Sequence, residues 1–160
     1  MKNDDRHKFC RHYYINRASM ERAEMVRGQL HRRLDESWYR ATTHHSDPVR
    51  LSRGIRRCLV EGFFMQVAHV ETSGRYRTVK DEQDVDLHSS TSLPDKPPWV
   101  LYHEVMLTSR NFIRTVVRIE GEWLLELAGH YYDVNTFPES EAKTGLKNIE
   151  EGVGEPGGAG

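Results

Sequence analysis

The chain has 160 residues, 37% apolar and 29% charged, enough for one domain of ordinary size with a helical element attached, and for a core that needs no disulfide or metal. Three Trp, seven Tyr and five Phe argue against wholesale disorder, and no run approaches the roughly 18 apolar residues needed to cross a bilayer. The start, Met1 to Asp5, has no apolar stretch of the secretory kind. Net charge is −1 but unevenly spread: residues 1–60 hold 14 basic against 7 acidic side chains, and residues 61–160 hold 9 against 17. The basic part suits phosphate or an acidic partner, although a charge run is often only a solvated face. Cys10 and Cys58 stand in no CxxC pattern and fit a reducing compartment without pairing.

Ala23, Val26, Leu30 and Leu34 fall at spacings of three, four and four, which predicts a helix with one apolar stripe. Ser19 is its expected N-cap, and Arg22, Arg27, Arg32 and Arg33 lie off the stripe. Residues 40–54, with Thr42 to Pro48 and a closing Gly54, read as a connector. A short helix is expected from Ile55 to Val60. From Gly62 the pattern changes to strands: Phe63 to Val70, Tyr76 to Val79, Val85 to Leu87, Trp99 to Leu107 and Asn111 to Ile119. Lys80 to Asp84 is polar and suits a hairpin turn, and Pro94 to Pro98 a rigid loop. Trp123 to Leu127 reads as a short closing helix, and the Gly-rich end from Glu150 as flexible. The expected fold is mainly β: a five-stranded barrel with an N-terminal helical segment and a short C-terminal helix.

Particular residues say more than the order of elements. Gly62 to His69, then Tyr76-x-Thr78-Val79-Lys80-Asp81-x-Gln83-x-Val85-x-Leu87-His88-x-Ser90-Thr91, resemble the OB-fold of DEAH-box pre-mRNA-splicing RNA helicases. Trp99-Val100-x-Tyr102-x-Glu104, Leu107-Thr108-Ser109-x-Asn111-Phe112-Ile113-Arg114-Thr115, Glu122-Trp123-Leu124 and Tyr131-Tyr132-Asp133 continue the resemblance in order. Upstream, Tyr14-Ile15-Asn16 and Ala23-x-x-Val26-Arg27-x-Gln29-Leu30 are similar to the last helices of that family's helical bundle. The likeness is strongest to the family's G-patch-activated member of spliceosome disassembly and ribosome biogenesis. The chain departs from the family at His88-Ser89-Ser90, at Ala128-Gly129 and at Arg17-Ala18. The resemblance implies residues 1–39 as the end of the helical bundle, 40–54 as connector, 55–146 as OB-fold and 147–160 as flexible tail.

The parent enzymes need ATP and Mg, but no Gly-x-x-x-x-Gly-Lys-Ser/Thr loop and no Asp-Glu-Ala-His occurs here. The expectation is therefore a chain without ATPase activity or cofactor of its own. What the resemblance implies for this region is single-stranded RNA held in the nucleus, docking on the helicase core domains, and a G-patch protein as a further partner. OB-folds track a nucleic-acid backbone with basic groups and stack bases on aromatics. The candidate RNA-binding residues are Lys80, His88, Thr108, Ser109, Arg110 and Arg114, with Tyr76 and Phe112 as stacking platforms because each lies beside arginines. The competing reading has Thr108 and Ser109 only making a turn and Arg114 only pairing with Glu104. Phe63, Phe64, Trp99 and Trp123 sit in apolar runs and are expected in the core. His44-His45 have no further ligand at zinc spacing, so no metal is expected. Cys58 follows Arg56-Arg57, but no base accompanies it as a nucleophile would require. A rival reading is a protein-docking module, which the acidic balance of residues 61–160 favours; a third is a fragment with no function alone.

Overall fold

A computed structural model describes residues 3–33 and 47–153. The chain divides into two compact units, Met1–His44 and His45–Gly160. In the first, α1 (Asn3–His12) and α2 (Arg17–Arg33) are joined by a tight turn in which Tyr14 takes a positive φ of 53°. Arg6 pairs with Glu24 across the two helices at 3.0 Å. The cap of α2 is Asn16, whose Oδ1 accepts from the Ser19 amide at 3.0 Å, three residues before the position expected from sequence. Ala23, Val26 and Leu30 do share one face of α2, but none is buried.

The second unit opens with α3 (Pro48–Phe63). This helix begins where a connector was expected and continues into the expected first strand. Asp47 explains the start: its Oδ1 accepts from the Val49 and Arg50 amides at 3.0 and 3.2 Å, and Pro48 fills the first turn, where no donor is needed. Gly54 lies inside the helix with open space around it and does not break it. Residues 34–46, including His44 and His45, lie outside the described residues.

Five strands follow: β1 (Val67–Val70), β2 (Tyr76–Thr78), β3 (Asp84–Leu87), β4 (Trp99–Leu107) and β5 (Asn111–Ile119). They close into a barrel in the order β1-β2-β3-β5-β4. Four pairings are antiparallel, and the parallel contact of β3 with β5 completes the ring. Every strand sends side chains to the interior: Ala68, Tyr76, Val85, Val100, Tyr102 and Ile113 form its buried cluster. Alternation sends Val67, Trp99, Leu101 and Ile119 to the outer face. There they meet α3, α4 (Gly121–Ala128) and α5 (Glu141–Glu150) through Val60, Trp123, Leu124, Ala128, Ala142 and Leu146, with Tyr132 and Phe137 of the α4–α5 connection.

Among the described residues, the expected short helix, α4, follows the barrel and a second, α5, comes after it. Helix α5 includes residues 147–150, which were expected to be tail; residues 154–160 lie outside the described residues. Ser140 caps it, accepting from the Lys143 amide at 3.1 Å, and Leu146 anchors it in the core. Trp99 and Trp123 are buried as expected. Phe64 packs at the core margin. Phe63, however, is 42% exposed, because it ends a helix instead of opening a strand. No helix among the described residues is long and apolar enough to cross a membrane.

Candidate nucleic-acid interface

The parallel β3–β5 contact decides which candidates meet. Asp86 lies opposite Phe112 and Leu87 opposite Ile113, and the His88 amide donates to the Ile113 carbonyl at 3.0 Å. The end of β3 is thereby fastened beside the start of β5. The His88 and Phe112 rings stand edge to face with centroids 6.1 Å apart. His88 Nδ1 lies 2.8 Å from Ser90 Oγ and accepts from the Ser90 amide at 3.2 Å. A ring nitrogen accepting from an amide carries no proton, so in the neutral ring Nε2 holds the hydrogen and remains a donor. Ser90 was quoted in the resemblance, but its bond to the imidazole was not foreseen.

Leu107 pairs with Asn111, which leaves Thr108, Ser109 and Arg110 as the turn of the β4–β5 hairpin, all exposed. The Thr108 hydroxyl donates to the Arg110 carbonyl and accepts from the Arg110 amide. It is therefore occupied in shaping the turn, while the Ser109 hydroxyl and the Arg110 guanidinium project from it. Four residues along, Arg114 lies directly opposite Glu104, and its Nε donates to Glu104 Oε1 at 2.5 Å. That bond holds the Glu104 carboxyl below the usual carboxylate range.

Other arginines of the barrel are similarly matched with acids. Arg75 meets Asp84 and Asp86, Arg77 meets Asp84, and Arg118 meets Asp95, at 3.1 to 3.6 Å. Among the described residues Arg110 joins no ion pair.

Two candidates fall elsewhere. Lys80 is exposed in the turn before β3, at the opposite end of that strand from His88, with Asp81, Glu82 and Asp84 around it. Tyr76 is 1% exposed and cannot offer a face to a base. Its neighbours Arg75 and Arg77 suggested a surface position, but in a strand adjacent residues face opposite ways, so outward arginines send Tyr76 inward. There its hydroxyl donates to the Pro97 carbonyl at 2.7 Å, and burial pushes its pKa up to about 12.

A groove beside the His88 loop was not anticipated from sequence. Its volume is about 390 Å³, and it is lined by Leu59, Phe63, Ser90, Thr91, His103 and Thr115 among others. The available signal was the helical spacing of Leu59 and Phe63, which the strand-like apolar run at residues 63–70 concealed. Thr115 has a φ of 52°, a costly value for a β-branched residue. It stands opposite His103, at a point where inward alternation changes on both long strands: Val100 and Tyr102 face the interior before it and Val105 after, with Ile113 and Val116 on β5.

Comparison with known proteins agrees with the architecture. The pattern of the oligonucleotide/oligosaccharide-binding (OB) fold matches residues 55–131. Over 145 residues, 89% of this chain, the sequence is 36% identical to the Probable ATP-dependent RNA helicase DHX35 of Homo sapiens. The matched segment is 20% of that relative's length, so the chain spans about a fifth of the helicase it resembles. The chain thus carries an OB fold and is similar, over most of its own length, to part of an ATP-dependent RNA helicase.

Proposed function

We propose that the barrel end formed by His88 and the β4–β5 hairpin holds single-stranded RNA, as an accessory surface of a DEAH-box helicase. The observation that carries this reading is the placement of His88, Phe112, Ser109 and Arg110 at one barrel end, where Ser109 and Arg110 are exposed and the two rings half-buried. The His88 Nε2 hydrogen, the Ser109 hydroxyl and the Arg110 guanidinium suit phosphate oxygens, which position a strand without reading its sequence. The Phe112 and His88 rings suit a base. Thr108 supports by fixing the turn, and Arg114 lies further along β5, paired with Glu104. Lys80 and Tyr76 are left out of this surface.

In a longer protein of the relative's kind the strand would come from the motor domains, and pre-mRNA splicing or ribosome assembly in the nucleus would be the setting. ATP and Mg would act in those domains, not in this chain. Activation by a G-patch protein belongs to the same reading.

The test is fluorescence anisotropy of a labelled oligo-U with the purified chain at two salt concentrations. Affinity is expected to fall as salt rises, because binding releases counterions. Arg110→Glu is expected to weaken it about tenfold at low salt, the scale of one charge reversal at a phosphate contact. No binding at low salt by a folded chain would overturn the proposal.

A second reading, docking on other protein domains, is favoured by the exposed apolar side chains of α3: Leu51, Ile55 and Phe63 are 44, 53 and 42% exposed. Association through such a face would be far less sensitive to salt.

A further inference from the structure

We propose that Glu104 is a built-in competitor for Arg114, so that an RNA phosphate reaching Arg114 must work against a carboxylate already seated there. The inference rests on the RNA-holding reading and adds how strongly that surface grips. Glu104 and Arg114 are direct partners in the β4–β5 register, between the Tyr102–Val116 and Val105–Ile113 pairs, so the backbone keeps the carboxylate within reach of the guanidinium. Their contact is 2.5 Å, and both side chains are part exposed, at 41% and 46%. The arginine can therefore reach solvent, and an incoming strand can reach the arginine. Glu104 stays ionised at neutral pH, since the bond to Arg114 lowers its pKa.

The pair lies two strand residues from Phe112, within the line that a backbone leaving Arg110 would follow. Arg110 and Arg114 consequently differ in kind. Arg110 offers its whole charge to a phosphate. Arg114 offers a charge already cancelled at short range, and a phosphate approaching it meets the negative Glu104 as well. A surface built this way holds a strand loosely, which suits RNA that has to move past it.

Glu104→Gln separates charge from geometry, because the amide oxygen still accepts from Arg114 Nε. In the full chain this variant is expected to bind oligo-U about threefold to tenfold more tightly at low salt. The slope of log affinity against log salt should steepen by about 0.7, one further phosphate contact on a single strand. Adding Arg114→Gln to Glu104→Gln should remove both gains. Glu126→Gln removes an α4 carboxylate paired with Arg57 of α3, beyond the far end of β5. It should leave affinity within about twofold, a change smaller than a lost phosphate contact, separating a local effect from overall charge.

If wild-type binds and Arg110→Glu weakens it while Glu104→Gln is unchanged or weaker, the competitor role is overturned and the RNA-holding reading stands. A gain from Glu126→Gln equal to that from Glu104→Gln would also overturn it. If wild-type fails to bind, both fall together.

Discussion

Tyr76, between the outward Arg75 and Arg77, points into the barrel and is 1% exposed. The hydroxyl went with the ring and found the Pro97 carbonyl. Tyr76→Phe leaves that buried acceptor unpaired, which costs about 1–3 kcal/mol in thermal or urea unfolding. The same burial gives a pH dependence. The Tyr76 pKa is raised in the fold, from 10.0 to about 12. Its contribution is therefore complete below pH 10 and is lost as pH rises from 10 toward 12. The loss amounts to about 2–3 kcal/mol at most, at 1.36 per unit. Among the described tyrosines, absorbance titration of tyrosinate should find this residue ionising last but for Tyr132, whose hydroxyl burial raises further still. Arg114 was legible in both its readings from sequence, since Glu104 lies ten residues before it on the preceding expected strand. Only the register makes the two direct partners.

At the scale of elements, the five strands were legible because apolar runs, turn residues and prolines punctuate them closely. Helix α3 was less so. Its capping pair, Asp47-Pro48, sits in a polar stretch that resembles a loop, and its last turn is apolar enough to pass for a strand. Asp47→Ala removes the acceptor for two amides and should cost about 1 kcal/mol, with the loss seen as reduced helicity and a lower Tm. Helix α5 was missed because Lys143, Thr144 and Gly145 dilute its apolar stripe, although Ala142, Leu146 and Ile149 keep helical spacing. What seats α4 against the barrel is invisible in sequence. A Cβ on Gly121 would lie 2.4 Å from Ile149 Cδ1 and 2.8 Å from Trp99 Nε1. Ile149 ends a flexible side chain, but Trp99 is 2% exposed and cannot retreat. Gly121→Ala is expected to destabilise the unit by about 1–3 kcal/mol through overpacking, read as a drop in urea midpoint. Gly129→Ala would serve as a second probe, where the clash is with the Leu125 carbonyl at 2.8 Å.

For the molecule as a whole, the arrangement of charge matters more than its sum. Residues 61–160 hold eight more acids than bases, which argues against a strong, free-standing RNA binder if charges are only counted. In the fold, acids at Asp84, Asp86, Asp95 and Glu104 are matched to arginines on the barrel wall. The hairpin tip keeps its one guanidinium uncommitted. Weak, salt-sensitive and local binding, held by one barrel end, is therefore expected. Sequence named the candidates; bringing His88 to Phe112 required the parallel β3–β5 closure, a pairing of residues 26 apart that no local pattern announces. The most direct measurement is a two-dimensional amide NMR titration of the labelled full chain with unlabelled oligo-U at low salt. The account predicts shifts concentrated at His88 to Ser90 and Ser109 to Arg114, with Lys80 to Asp84 unmoved. Shifts centred on the exposed face of α3 or on the β2–β3 turn, with the hairpin unmoved, would contradict it.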